Sequence, residues 1–213
     1  MSIQIPPLSD LGKYAVNRPG QDEGIWQPLY DYQTYAAAGQ TSLNFFQIPQ
    51  GQSSKTLADT NMEAAGALPV PKRFLIQGIE IVFFSGVTPG TFGAQAAAAY
   101  INDQNAIYKS GHVQLFIGSK PYLDEAPIGV FPPSWGLGGF AALADTTTAG
   151  ANQQSMIQYA RGVGRVYEIP PMLLPSQQNF KVSINWPTAV ATPSTVAGRI
   201  GVRLLGVMYR NSQ

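Results

Sequence analysis

Cysteine is absent from this chain of 213 residues, and histidine occurs once, as His112. The first absence excludes a disulfide framework, a thiolate nucleophile and any cysteine-based zinc site, and it fits folding in a reducing cytosol. The second limits a metal centre or an imidazole-based catalytic pair to one histidine. Charge is scarce too: 12% of the residues are charged, against about a quarter in an average domain. A net charge of +1, with Lys13 and Arg18 the only basic residues in the first fifty, argues against an electrostatic nucleic-acid binder, which carries a basic stripe or tail. No run approaches the ~18 apolar residues of a membrane-spanning helix. The opening stretch MSIQIPPLSDLGKYAV has no charged region followed by an apolar one, so no signal peptide is expected.

Catalytic signatures are missing as well. The chain has no GxSxG, HExxH or EF-hand pattern. Gly136–Gly139 and Gly162–Gly164 lack the strand-then-helix setting of a phosphate loop, and the GQSSK stretch at Gly51–Lys55 lacks its spacing. His112 sits in a strand-like run, where a solvated or hydrogen-bonded residue is the simpler reading than a ligand or general base. Asp124 and Glu125 are adjacent, and successive strand residues face opposite ways, so they form no ready acid/base pair. Carboxylates distant in sequence could still meet as in a glycosidase, but the expectation is a non-enzyme with no catalytic, cofactor-binding or metal-binding residues and no cofactor.

What fills the chain instead is Gln, Asn, Ser and Thr, together with 22 glycines and 17 prolines. A weakly charged surface of this kind suits extended contact with other proteins, because few ions lose their hydration when it is covered. The longest β-like run is RFLIQGIEIVFFSG, Arg73 to Gly86. Both of its parities are apolar, which predicts a strand buried on both faces. The helix predicted at Ala94–Lys109, ended by Gly111, or another subunit would then cover the second face, the helix at the Phe83–Phe84 end. Glu80 in this run needs a partner, and Arg199 or Arg203 is expected to supply it.

Other strands read more simply. Ile25–Ala36 alternates in part, with Trp26, Pro28, Tyr30, Tyr32 and Thr34 of one parity, and Pro28 confines it to a sheet edge or a strand start. Ser42–Ile48 is a short strand ended by Pro49. His112–Gly118, Asn179–Trp186 and Arg199–Arg210 alternate, with Val113, Leu115, Ile117, Phe180, Val182, Ile184, Trp186, Ile200, Val202 and Leu204 toward a core. Ser155–Arg161 and Gly164–Ile169 are two more strands, the second ended by Pro170 and Pro171. The GLGGFAALADTTTAGANQQ stretch reads as a long surface loop, and the polar stretch after Pro49 reads as another, of a length usually tied to function or partner contact.

These elements predict an all-β fold: an antiparallel two-sheet sandwich, most simply a single jelly roll, with one short inserted helix. Residues 1–24 read as an irregular N-terminal arm and 25–213 as one sandwich domain. The arm is either a frayed tail or a strap across a neighbouring subunit, with Ile3, Ile5, Leu8, Leu11 and Tyr14 as anchors. Trp26, Tyr30, Tyr32 and Tyr35 are expected to fill a core or a subunit interface, where such residues are enriched, in preference to stacking on sugars or bases. The candidate subunit-contact set is therefore Ile3, Ile5, Leu8, Leu11, Tyr14, Trp26, Tyr30 and Tyr32. With one histidine, a metal-dependent cupin, which shares the jelly-roll architecture, is disfavoured.

The run LFIGSKPYLDEAPIGVFPP (Leu115–Pro133), the KTLADTNM stretch (Lys55–Met62), the arm and the uncharged polar surface together resemble a bacteriophage virion protein of the jelly-roll capsid type. The resemblance implies a non-enzymatic capsid shell subunit, folded in the host cytoplasm and resident in the virion, assembling with copies of itself into trimers or larger symmetric arrays and contacting other virion proteins. It carries over no active-site residue. The alternatives are a carbohydrate- or receptor-binding sandwich on a spike or tail, and a decoration protein on a preformed shell.

Overall fold

The computed structural model describes residues 22–87, 94–131, 138–144, 154–160 and 167–211. For 94–101, 138–144, 154–160 and 167 the description concerns the backbone. In chain order the elements are β1 (Asp22–Trp26), β2 (Leu29–Tyr35), β3 (Ser42–Phe45), β4 (Arg73–Phe84), α1 (Ala94–Ser110), β5 (His112–Ile117), β6 (Lys120–Pro127), β7 (Gly138–Ala144), β8 (Gln154–Ala160), β9 (Tyr167–Leu174), β10 (Phe180–Asn185) and β11 (Gly198–Asn211). β1 takes in Asp22, Glu23 and Gly24, so regular structure includes the last three residues of the expected arm.

Alternating apolar residues along β5, β10 and β11 drive two antiparallel sheets together around one core. The larger sheet runs β1-β11-β4-β9, with β2 also paired to β11; the smaller runs β3-β10-β5-β6. β1 and β2 lie end to end along one side of β11, β2 against Gly198–Leu204 and β1 against Val207–Asn211. Gln27 and Pro28 interrupt them. Proline lacks the amide that a central strand needs, and both strands lie on the edge, as Pro28 predicts. Tyr35 joins the sheets, its ring edge-on to Phe83 at 5.8 Å and to Trp186 at 5.3 Å.

β4 is buried on both faces, as expected, but its faces are not set by one unbroken register. Its register slips against both neighbours between Ile76 and Gly78: against β11 Gln77 is the extra residue of a β-bulge, and against β9 the extra residues lie on β9, between Glu168 and Met172. Phe74 and Ile76 face the core before the bulge, and Ile79, Ile81 and Phe83 after it. The change of parity accounts for much of the apolar character on both parities. Gly206 lies opposite the bulge, where an added Cβ would sit 1.8 Å from the Leu75 carbonyl oxygen, so only glycine fits there.

Helix α1 serves the edge of β4 and not its second face. β9 pairs with β4 only as far as Ile79. Beyond that point the Tyr108 hydroxyl donates to Ile81 O at 3.0 Å and accepts from Phe83 N at 3.1 Å, while Ile81 N donates to Phe131 O at 3.0 Å. Among the helix residues whose side chains are described, Asp103 and Ile107 are buried, with Gln104 and Tyr108 half-buried beside them. Gly111 follows the helix where close packing admits only glycine: a Cβ would lie 2.3 Å from Ile128 and 2.6 Å from the Trp186 indole nitrogen.

Three further expectations change. β3 stops at Phe45, because Phe46 turns into the left-handed region at φ 68°, which a bulky residue rarely adopts. Gly138–Ala144, read as part of a loop, is a strand paired in register with β8. β9 continues through Pro170 and Pro171 to Leu174: it lies at the sheet edge, and both prolines fall in the register break between Glu168 and Met172, where they have no partner on β4. The Gly162–Gly164 turn lies outside the described residues.

Candidate interaction surface

The outer face of the larger sheet differs from that of the smaller one. The smaller presents a polar ladder in which the Ser183 hydroxyl donates to Asn44 Oδ1 at 2.6 Å and the Asn185 amide to Gln114 Oε1 at 3.2 Å, with Lys181 over the Phe116 ring at its far end. His112 opens this ladder, half-buried, opposite Asn185 and Pro127. Asp124 and Glu125 are exposed on the neighbouring edge strand β6. Among the described residues no three His, Cys, Asp or Glu side chains are grouped to hold a metal ion, and no helix is long and apolar enough to cross a membrane.

On the larger sheet the half formed by β2 and the start of β11 is locked by charge and aromatic rings. Tyr32 lies flat over Gly201, where a Cβ would meet its ring at 2.1 Å. The Arg199 guanidinium carbon sits 4.4 Å from the Tyr32 ring centre, within cation–π range. Arg203 donates from Nε to the Tyr32 hydroxyl at 2.8 Å and from Nη1 to Glu80 Oε2 at 3.4 Å. Glu80 is fully buried directly across the strand pair from Arg203. One of its two expected partners is therefore the right one. Arg199 instead holds Asp59 at 2.8 Å and the Ala58 carbonyl.

The polar loop after Pro49 packs onto this half. Tyr32 N donates to Asp59 O at 2.7 Å, Asn61 N to Tyr30 O at 3.4 Å, and the Tyr30 hydroxyl to Leu57 O. Two carboxylates secure the loop and differ in character. Asp59 accepts the Thr56 amide and hydroxyl, each at 2.9 Å; the amide bond first, then the hydroxyl and Arg199, holds its pKa below the usual carboxylate value. Asp31 is fully buried at the sheet edge, where its Oδ2 accepts Phe46 N at 2.6 Å and its Oδ1 accepts Lys55. Burial pushes its pKa up, against the pull of Lys55 and the Phe46 amide. Lys55, the last residue of the GQSSK stretch, is thus a structural counter-ion.

The other half carries no such lock. There the register aligns Trp26, Val207, Leu75 and Leu173 in a row across β1, β11, β4 and β9. All four point outward, since Ile25, Met208, Phe74 with Ile76, and Met172 with Leu174 face the core. The middle of the row is shielded, Val207 at 4% and Leu75 at 6% exposure, and its ends are open, Trp26 at 67% and Leu173 at 39%. Three strand spacings give it a length of about 14 Å. The Arg73–Asp22 ion pair borders it on the same face toward the chain ends, whereas the Arg210–Glu23 pair lies on the opposite face of the sheet, beside Ile25 and Met208.

Of the residues expected to make subunit contacts, Trp26 is presented to solvent. Tyr32, at 7% exposure, and Tyr30, half-buried, are engaged by the chain's own loop and arginines. Ile3, Ile5, Leu8, Leu11 and Tyr14 lie outside the described residues. Val207, Leu75 and Leu173 were not anticipated; each belongs to a different strand, and only the register brings them together.

Two enclosed features offer no chemistry. A hollow of about 80 Å³ between Ile25, Leu29, Leu68, Met208, Glu63 and Lys72 is far below the ~300 Å³ of a small-molecule pocket. Asp103 is a fully buried carboxylate that accepts Ser85 Oγ, Ser194 N at 2.8 Å and Ser194 Oγ at 2.6 Å; it ties α1 to the loop before β11 and is closed to a substrate. No protein-family model matches the chain, and no curated protein does.

Proposed function

We propose that the chain is a non-enzymatic virion structural protein, a capsid shell subunit of jelly-roll type that assembles with copies of itself. The apolar row from Trp26 to Leu173 carries the reading, because it offers a band of weakly charged surface with open ends. Contacts between obligate subunits are apolar and poor in charge at their centres.

The strand order supports the jelly-roll part. If β1 and β2 are counted as one strand and the β7–β8 hairpin is set aside, eight strands run 1-8-3-6 in the larger sheet and 2-7-4-5 in the smaller. The pairs 1·8, 2·7, 3·6 and 4·5 are all antiparallel. They are the rungs of one long folded-over ribbon, and rolling that ribbon into two layers yields a jelly roll.

Exposed Trp26 also favours a second reading, a glycan-binding module, since an indole face stacks on a sugar ring. Its neighbours in the row, Val207 and Leu75, have no polar side-chain atoms to bind hydroxyls, so an apolar protein surface suits the site better. Light scattering and negative-stain electron microscopy of the purified full chain test the proposal. Trimers or larger particles are expected, and a strict monomer at high concentration that binds glycans would overturn it.

A further inference from the structure

We propose that the apolar row of the larger sheet receives residues Ile3–Pro7 of a second copy of this chain. This rests on the shell reading and names the occupant of that contact. In the single chain the row ends in open side chains, Trp26 and Leu173, so it is completed from outside. The row is one side chain deep and runs across the strands, which suits an extended peptide laid over the sheet better than another flat sheet.

The Ile3–Pro7 stretch matches it in pattern and length. Ile3, Ile5 and Pro7 share one parity and alternate with Gln4 and Pro6. Three such residues of an extended chain span about 13 Å, close to the ~14 Å from Trp26 to Leu173. No charged side chain occurs before Asp10, so seating the segment on an apolar floor desolvates no ion. Proline at positions 6 and 7 restricts the backbone toward extended conformations, which lowers the entropy lost on docking.

Reach permits a second copy as well as the same chain, and the shell reading selects the second copy. The 15 steps of chain from Pro7 to Asp22 span up to about 50 Å, whereas a folded chain of this size is about 45 Å across. The row is only four residues along β1 from Asp22, about 13 Å, and docking there in cis would require most of the arm to loop out.

The test places the photo-crosslinker p-benzoylphenylalanine at Ile5 in the full chain, followed by denaturing gel electrophoresis and peptide mapping. A dimer-sized band joining residue 5 to peptides that contain Trp26 or Leu173 is expected, and Leu173→Lys should lower its yield at least tenfold. Deleting residues 2–8, which leaves every described residue in place, should abolish the higher oligomers while the thermal midpoint of the folded chain stays unchanged. Crosslinks confined to single chains, crosslinks to other surfaces, or a yield indifferent to Leu173→Lys would overturn the inference. Oligomers that form without the residue 5 crosslink sink the docking and leave the shell reading standing; a chain that never forms oligomers sinks both.

Discussion

The two halves of the larger sheet's outer face share β11 and β4, yet they are shielded by different means. The half at β2 buries Glu80 and Val82 beneath Tyr32, Arg199 and Arg203, and a loop from the same chain is bonded on at Asp59 and Asn61. The half at β1 keeps Val207 and Leu75 apolar and leaves Trp26 and Leu173 open. The break at Gln27–Pro28 divides them, since the loop's backbone bonds go to Tyr30 and Tyr32 on the β2 side. The comparison teaches that a charged lock stabilises one chain, whereas an apolar row with open ends becomes stable only when something else covers it.

The lock half should respond most strongly to changes within the monomer. Arg203→Leu removes the guanidinium opposite buried Glu80 and is expected to cost about 3–5 kcal/mol, as breaking a buried ion pair from one side does; urea denaturation measures it. The double variant Glu80→Leu with Arg203→Leu should recover most of that loss. If the two single losses simply add, the pair is not coupled and the half is not locked as described. Gly201→Ala comes next. Its methyl would force Tyr32 off the sheet and cost about 1–3 kcal/mol, with partial rescue by Tyr32→Ala.

Acid should divide the two carboxylates of the loop. The pKa of Asp31 is raised on folding, so its contribution is fully present below the ordinary aspartate value of 3.8 and is lost as the pH rises through the folded value. The pKa of Asp59 is lowered, so its contribution is present above 3.8 and is lost as the pH falls through its folded value. Stability measured against pH for Asp31→Asn should therefore gain on wild type as the pH rises above 3.8, and Asp59→Asn should gain on wild type as the pH falls below it. Parallel curves for either variant and wild type would remove that carboxylate from the account.

What the sequence reveals of this arrangement follows from whether a signal is local. β5, β10 and β11 announce themselves, because Val113, Leu115, Phe180, Val182, Ile200 and Val202 alternate against polar or glycine neighbours and the core takes one parity throughout. β4 conceals its faces, because the bulge at Gln77 changes parity in mid-strand and nothing in RFLIQGIE marks the extra residue apart from Gly78. β7 is built from GGFAALA, poor in β-branched residues, and holds its place through pairing with β8. The Glu80–Arg203 pair was legible because a carboxylate in an apolar strand calls for a cation and the first half of the last strand carries Arg199 and Arg203. The apolar row was not legible, since it depends on three registers at once.

The smallest effect on the monomer tests the open half most directly. Leu173→Ser replaces an edge residue outside the core cluster, so the unfolding free energy of the chain should move by no more than about 0.5 kcal/mol. Trp26→Ser should behave alike, for its side chain is two-thirds exposed. Association should respond far more, because an aromatic or aliphatic anchor at the centre of a contact is commonly worth about 2 kcal/mol or more, roughly thirtyfold in the dissociation constant. Sedimentation equilibrium of the two variants beside wild type separates the terms: unchanged stability with weakened association assigns the row to contact between chains. A loss of stability equal to that of Arg203→Leu would instead make the row part of the monomer's own packing, and the two halves of the face would no longer differ in kind.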